Sequence, residues 1–257
     1  MKEKILLTRT IHDFALKELR KKFQVEIHKG KIPISQKILK SKIKEVDGLI
    51  CFPYDKIDKE TIQLAKKLKV ISTYSVGYDH IDTQFAKENK IRVGYTPEVL
   101  TDATANMAFA LLLDALRRIS EGDRIIRKGE WKQIYGAYDY VGLDIHGKTL
   151  GIMGLGRIGK TLAKRAKAFD MKIIYHNRKK ISKTEEEKIG VKYTTFDKLI
   201  SQSDIISIHV PHTKETNQIF NMKIFRKMKN TAFLINTSRG KVVNEKDLAI
   251  ALKEKII

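Results

Sequence analysis

The stretch that decides the fold is LGIMGLGRIGK, from Leu150 to Lys160. An apolar run ends at Gly154, and Gly154, Gly156 and Gly159 then give the spacing G-x-G-x-x-G ahead of a helical pattern. In such a turn the first glycine permits the tight bend, the second lets a pyrophosphate approach the backbone amides, and the third lets helix and strand pack closely. Because a helix N-terminus also favours an anion, the stretch predicts a dinucleotide-binding turn rather than a chance glycine turn.

The residues around this turn alternate between short β-branched runs and helical patterns. From Thr149 onward five strands are expected, in the runs LGIMG, KIIYHN, VKYT, DIISIHV and AFLINTS, and a sixth strand would begin at Ile256. Before the turn, the runs KILLT, VEIH, GLICF, VISTYS and IRVGYTP alternate with helical patterns in the same way. Such alternation is typical of parallel sheets that are covered by helices on both faces.

The predicted fold class is therefore α/β, with two doubly wound parallel-sheet domains at residues 1–97 and 98–257. Two separate sheets are expected because one parallel sheet of so many strands, interrupted by a long buried helix, would be a less economical arrangement. That helix lies in TPEVLTDATANMAFALLLDALRRI, where Thr101 or Asp102 can cap it and apolar residues on almost every face predict burial between layers. The aromatic-rich stretch GEWKQIYGAYDYVGLDIHGKT follows, and it favours an extended arm that packs elsewhere, for instance on another subunit.

The composition indicates a chain without a membrane span or an internal disulfide. No apolar run approaches the roughly 18 residues that a membrane helix needs, and the single cysteine, Cys51, fits a reducing cytoplasm. The formal net charge of +21 raises the question of a nucleic-acid partner. The lysines are spread over most helical segments without a basic arm or interleaved aromatic residues, so we expect solvated helix faces and no nucleic-acid partner.

The end of the second strand of the second domain, which is the strand that follows the glycine turn, bears on the choice of cofactor. NAD sites normally carry an acidic residue there, which accepts hydrogen bonds from the ribose 2′-hydroxyl. Here Asn177 stands in that place, followed by Arg178, Lys179 and Lys180. A neutral amide and cations would accept the 2′-phosphate of NADP(H), so NADP(H) is favoured and NAD(H) stays possible. The alternative is that these lysines are solvated like the many others.

Four separated motifs resemble the D-isomer-specific 2-hydroxyacid dehydrogenases, a family that includes glyoxylate and hydroxypyruvate reductases. The motifs are YSVGYDHID (Tyr74 to Asp82), TPEVLTDATANMAFALLL (Thr96 to Leu113), GKTLGIMGLGRIGK (Gly147 to Lys160) and INTSRGKVVNEKDLAIAL (Ile235 to Leu252). The resemblance implies a flavodoxin-like substrate domain, a Rossmann coenzyme domain and a homodimer. It also implies hydride transfer between a nicotinamide cofactor and a small 2-keto or 2-hydroxy acid, with glyoxylate or hydroxypyruvate as the expected substrate.

The resemblance assigns roles to individual residues. Arg239 would be the catalytic residue, because the paired donors of a guanidinium match a carboxylate and a neighbouring carbonyl oxygen. The backbone amides of Val76 and Gly77 would hold the substrate carboxylate. The implied cofactor contacts are Thr104, Gly154, Gly156, Arg157, Ile158, Gly159, Asn177, Arg178, Val210, Pro211, Thr216 and Thr237. No metal site is expected.

The resemblance places the family's glutamate and its proton-donating histidine beyond Ile257, so we expect a chain that is truncated at its C-terminal end. The alternative function is therefore a dinucleotide-binding module without catalysis. His212, which follows Pro211, is the histidine considered as a substitute acid, whereas His209 is expected to be a core residue. Asn106 departs from the family, which often has an acid at this place.

Overall fold

The computed structural model describes residues 2–132 and 134–257. The chain divides into two compact units, Met1–Val99 and Leu100–Ile257. Each unit contains a five-stranded parallel sheet, as the two successive alternations predict. The predicted α/β class with two separate sheets is confirmed.

The first unit alternates short strands with short helices. Its elements are β1 (Lys4–Leu7), α1 (Asp13–Lys22), β2 (Gln24–Ile27), α2 (Gln36–Lys42), β3 (Gly48–Cys51), α3 (Lys59–Gln63), β4 (Val70–Thr73), α4 (Thr83–Glu88) and β5 (Arg92–Gly94). The strand order β2-β1-β3-β4-β5 is the flavodoxin-like order, and all neighbouring strands are parallel. Ser35, Asp58 and Asp82 begin α2, α3 and α4, because each side chain accepts a hydrogen bond from a backbone N–H of the first turn.

The second unit begins with two helices and continues as a βα alternation. Its elements are α5 (Thr101–Arg117), α6 (Ile119–Arg127), β6 (Thr149–Met153), α7 (Arg157–Lys167), β7 (Lys172–His176), α8 (Lys183–Ile189), β8 (Lys192–Tyr193), α9 (Phe196–Gln202), β9 (Ile205–Ile208), α10 (Met222–Phe225), β10 (Phe233–Asn236) and α11 (Glu245–Lys253). The strands lie in the order β10-β9-β6-β7-β8 and are parallel throughout. Counted from β8, this is the 3-2-1-4-5 order of a Rossmann sheet.

Helix α5 is buried on one face only. Its buried residues are Ala105, Ala108, Phe109, Leu112 and Leu116, and they pack in the core that α7 and the sheet also form. On the other face Met107 is 57% exposed and Leu111 is 39% exposed. The prediction of burial between layers is therefore wrong for this face, because an apolar pattern does not show whether the same chain supplies the covering layer.

The two ends of the second unit also differ from the sequence prediction. Helix α5 begins after Leu100, with no side-chain hydrogen bond to cap it. Asp102 lies inside the first turn and pairs with Arg165 of α7 at 2.8 Å, so it does not act as the cap. At the other end Ile256 and Ile257 are not assigned to a strand, and both pack against the core around β9 and β10.

The sequence predicts no membrane-spanning segment, and the lengths of the helices bear on this prediction. Among residues 2–132 and 134–257, no helix combines the length and the apolar character that crossing a membrane requires.

Candidate active site

The glycine turn joins β6 to α7 at the carboxyl edge of the second sheet. Gly154 has a φ of +100°, and an added Cβ would come within 2.8 Å of the backbone of His209. Both facts require glycine at this position. At Gly159 an added Cβ would lie 2.4 Å from the carbonyl oxygen of Gly154, so this glycine lets α7 pack onto the turn. The fold itself therefore demands the first and the third glycine.

Gly156, the second glycine, has open space around it. An added Cβ would meet no atom within 4 Å. Gly156 is the N-cap of the 11-residue helix α7, and no acceptor among the described residues bonds to the N–H groups of Gly156 and Ile158. Unpaired amides at a helix N-terminus attract an anion, so the space in front of Gly156 fits a diphosphate.

Asn177 supports the glycine turn from the end of β7. Its Oδ1 accepts a hydrogen bond of 2.7 Å from the N–H of Leu155, which leaves the amide NH2 as the remaining donor. A donor suits phosphate oxygens better than a carboxylate would. Arg178 and Lys179 follow and are exposed. Sequence reasoning placed Asn177 at the cofactor but missed this bond, because the two residues are far apart in the chain.

The loop after β9 lies against the glycine turn. An added Cβ at Gly154 would come within 2.9 Å of Val210 Cγ1, which shows how closely the two meet. The Thr216 hydroxyl donates to the carbonyl of Pro211 at 2.7 Å and accepts from the N–H of Thr213 at 2.7 Å. The structure thus brings Val210 to the predicted cofactor site, while the Thr216 hydroxyl fixes the shape of the loop.

The two histidines of this region have partners within it. His209 Nε2 lies 2.8 Å from Ser207 Oγ, and burial lowers the pKa of His209 to about 4, so the ring is neutral at neutral pH. His212 Nε2 lies 3.0 Å from Asn217 Oδ1 in the same loop. These contacts give His209 a structural role, and the role of His212 as an acid stays a prediction.

The turn after β10 holds Arg239. Asn236 shapes this turn, since its Nδ2 donates to the carbonyl of Arg239 at 3.0 Å and its Oδ1 accepts from the N–H and the hydroxyl of Ser238, both at 2.9 Å. The Oγ1 of Thr237 is buried and has no hydrogen-bond partner among the described residues. Buried hydroxyls are normally paired, so Thr237 fits a ligand contact. Sequence reasoning missed Asn236, although an Asn at a tight turn is a known signal.

In the first unit the turn after β4 presents free amides. The N–H groups of Val76 and Gly77 have no acceptor among the described residues. The Ser75 hydroxyl donates to the carbonyl of Gly77 at 2.6 Å, and Ser75 Oγ lies 2.8 Å from Thr73 Oγ1. Two neighbouring amides without an acceptor can donate to an anion.

Two predicted positions of interest lie on α5. Thr104 lies in the first half of the helix and is half-buried. Asn106 Oδ1 accepts a hydrogen bond of 2.7 Å from Arg165 Nε, so the amide at this departure from the family pattern ties α5 to α7.

Together these features define a class of protein. The Rossmann strand order, the open glycine turn, the free helix amides and the unpaired Thr237 hydroxyl are those of a dinucleotide-binding protein of the dehydrogenase type.

Among the described residues no group of side chains could hold a metal ion.

Known proteins identify the family. The sequence profile of the D-isomer specific 2-hydroxyacid dehydrogenase NAD binding domain matches residues 109–257. The glyoxylate reductase of Thermococcus litoralis is 48% identical over 257 residues, which are 99% of this chain and 77% of that protein. The solved TT0316 protein of Thermus thermophilus has a TM-score of 0.88 and 40% identity, with 97% of this chain and 78% of that chain covered.

A further solved structure is similar, the D-lactate dehydrogenase of Aquifex aeolicus complexed with NAD and lactic acid. It has a TM-score of 0.86 and 29% identity, and the match covers 99% of this chain and 74% of that chain. The chain belongs to the D-isomer specific 2-hydroxyacid dehydrogenases. It is an oxidoreductase that transfers a hydride between a nicotinamide cofactor and a 2-hydroxy acid, and the resemblance found in the sequence is confirmed.

Proposed function

We propose that the protein reduces a small 2-keto acid, glyoxylate or hydroxypyruvate, and prefers NADPH to NADH. Asn177 carries the cofactor preference, since it bonds to Leu155 and offers a donor where an NAD site has a carboxylate. The substrate rests on the similarity to the Thermococcus litoralis glyoxylate reductase. NADH is the second candidate, because the similar Aquifex aeolicus enzyme was solved with NAD.

The proposed roles at the reacting carbon follow from charge. When bound, the reduced nicotinamide would supply the hydride for the keto carbon, while a general acid or water would give up the proton that the keto oxygen takes. The amides of Val76 and Gly77 hold the substrate carboxylate. The Arg239 guanidinium donates to the carboxylate and to the keto oxygen, where it stabilises the negative charge that develops during reduction.

The proposed cofactor contacts lie along the carboxyl edge of the Rossmann sheet, except Thr104, which lies on α5. The amides of the glycine turn, including those of Arg157 and Ile158, hold the diphosphate. Asn177 and Arg178 hold the 2′-phosphate. The remaining contacts are Thr104, Val210, Pro211, Thr216 and Thr237. We accordingly assign substrate binding to residues 1–97 and coenzyme binding to residues 98–257.

We also propose a homodimer. The second unit exposes large apolar residues on α5, on α6 and on the arm that follows, and we call this set the apolar surface. It consists of Met107, Leu111, Ile119, Ile126, Trp131, Ile134, Tyr138, Val141 and Leu143. A second copy of the chain would cover it. The cytoplasm is the proposed location, supported by a single cysteine, Cys51, which can form no disulfide within the chain.

Arg239→Gln tests the proposed function. Loss of the guanidinium removes a donor to the developing charge, so kcat for glyoxylate and for hydroxypyruvate should fall by about a hundredfold or more. Oxidation of NADPH and of NADH is followed by absorbance, and NADPH affinity is followed by fluorescence. Arg226→Gln, at an exposed arginine after α10, is the matched control. The proposal would be contradicted if the wild-type protein turned over neither glyoxylate nor hydroxypyruvate, or if Arg239→Gln kept full activity.

A further inference from the structure

A buried tyrosine lies beneath the basic loop, which we define as residues 177–181. Tyr175 of β7 is fully buried, and its hydroxyl accepts a hydrogen bond of 3.1 Å from the N–H of Ile181. At the other end of the loop Asn177 accepts from Leu155. Both ends of the basic loop are therefore fixed by side-chain hydrogen bonds, and the exposed residues between them have a defined position.

Glu186 of α8 lies next to this tyrosine and holds one of the cations of the loop. The Tyr175 hydroxyl donates to Glu186 Oε1 at 2.8 Å. Glu186 is only 9% exposed, and its Oε2 lies 3.4 Å from Lys180 Nζ. The Lys180 ammonium also lies 5.8 Å from the ring centre of Tyr193. Lys180 thus has a carboxylate partner within the protein, although its side chain is 53% exposed.

The negative charge of Glu186 strengthens its ion pair with Lys180. Burial alone would raise the pKa of Glu186, but hydrogen bonds from Tyr175 and Lys180 outweigh burial and hold the pKa below its usual value. The carboxylate is therefore charged at neutral pH. A buried carboxylate that loses its cation is strongly destabilised, so Glu186 keeps Lys180 as its counter-ion.

We propose that Tyr175 and Glu186 are positioning residues that decide which cations of the basic loop meet the 2′-phosphate of NADPH. Glu186 withholds Lys180, so Arg178 and Lys179 recognise the phosphate. Tyr175 holds the end of the loop that presents them. This inference rests on the NADPH preference proposed above. From the sequence alone, Arg178, Lys179 and Lys180 would all be expected to contribute.

Binding of two small ligands to the whole chain tests the inference without catalysis. Adenosine 2′,5′-bisphosphate and 5′-AMP differ only in the 2′-phosphate. The dissociation constant of 5′-AMP divided by that of the bisphosphate, both measured by titration calorimetry, therefore reports how strongly the 2′-phosphate is recognised. Arg178→Met should lower this ratio by about tenfold, the effect of one charge-assisted hydrogen bond. Lys180→Met should leave the ratio within about twofold of the wild type, although its melting temperature should fall.

Tyr175→Phe supplies the second arm of the test. The ring stays buried while Ile181 N–H loses its acceptor, so the ratio should fall by roughly threefold to tenfold with 5′-AMP affinity unchanged. Lys183→Met, at an exposed lysine just beyond the loop, is the matched control. If Tyr175→Phe fails to fold, the comparison of Lys180→Met with Arg178→Met decides alone.

The outcomes separate the inference from its premise. A wild-type protein that binds both ligands equally would overturn the NADPH preference and the inference with it. A wild-type preference that Lys180→Met reduces as much as Arg178→Met would overturn the inference only. The same holds if folded Tyr175→Phe keeps the full ratio, because a merely structural tyrosine would change stability and leave selectivity intact.

Discussion

At the residue scale, one glycine motif contains three different physical demands. Gly154 and Gly159 are fixed by backbone conformation and by packing, whereas Gly156 faces open space. The spacing in the sequence predicts the motif and the cofactor class. It does not show which glycine serves the fold and which serves the ligand, because that depends on Cβ contacts with distant parts of the chain.

We expect Gly156→Ala and Gly159→Ala to separate binding from stability. At Gly156 an added methyl meets no protein atom but occupies the space proposed for the diphosphate, so NADPH affinity should fall by about tenfold or more with little change in unfolding. At Gly159 the methyl would meet the Gly154 carbonyl, and the free energy of unfolding should fall by about 1 to 3 kcal/mol. Urea unfolding and fluorescence titration measure the two effects. Equal destabilisation by both substitutions would disprove the distinction.

His209 should make folding sensitive to acid. Its pKa falls from 6.5 to about 4 on folding because of burial, so the unfolded chain binds the extra proton more readily between these values. Stability is therefore lost as the pH falls from about 6.5 towards 4, by at most roughly 3 kcal/mol.

His209→Gln should remove this part of the acid sensitivity. Urea unfolding of the wild type and the variant at several pH values measures it, and His212→Gln on the neighbouring loop is the control. An unchanged pH dependence in His209→Gln would show that another group causes it.

At the element scale, the signals in the sequence differ in strength. The alternation of strands and helices predicted all ten strands, because short apolar or β-branched runs between polar and helical segments are typical of parallel strands. Helix α8 was missed although Ser182, whose hydroxyl accepts from the N–H of Glu185, gives a readable cap. Helix α6 begins after Arg118, which has a φ of +56°. An arginine does not predict a break between α5 and α6, because glycine or asparagine normally occupies positions with a positive φ.

Helix α5 gives a prediction on assembly. Met107→Glu places a charge on the apolar surface, so the proposed dimer should dissociate while each chain stays folded. Sedimentation velocity measures the oligomeric state, and circular dichroism measures folding. Phe14→Glu, at an exposed phenylalanine of α1 in the first unit, is the control and should leave the dimer intact. A wild-type monomer, or a dimer that survives Met107→Glu, would refute the proposed interface.

At the whole-molecule scale, charge is the property that composition predicts best. The chain has 51 Lys and Arg against 30 Asp and Glu, so 21 positive charges have no acidic counterpart within it. Surface pairs such as Lys40 with Glu60, at 2.6 Å, neutralise single lysines only. The positions of the site residues were less predictable, since the supports of Asn177 and Arg239 depend on side-chain hydrogen bonds that no spacing rule reveals.

Salt should therefore stabilise the protein. Like charges repel more strongly in the compact state, and screening weakens this repulsion, so the unfolding temperature should rise by a few degrees between about 0.01 M and about 0.5 M salt. Differential scanning calorimetry in sodium chloride and in potassium chloride measures the trend and separates screening from a specific ion effect. A steady decrease with salt would mean that favourable ion pairs outweigh the repulsion.

The fixed ends of the basic loop have a practical consequence for protein engineering. Since Asn177 is anchored to Leu155 and Ile181 to Tyr175, Arg178 and Lys179 can be exchanged without redesigning the sheet below, provided that Lys180 stays as the counter-ion of Glu186. To change the coenzyme that the enzyme uses, a designer should replace Arg178 and Lys179, the proposed contacts of the 2′-phosphate, and keep Tyr175. Replacing Tyr175 first would release one end of the loop, and the position of any new loop residues would then no longer be defined.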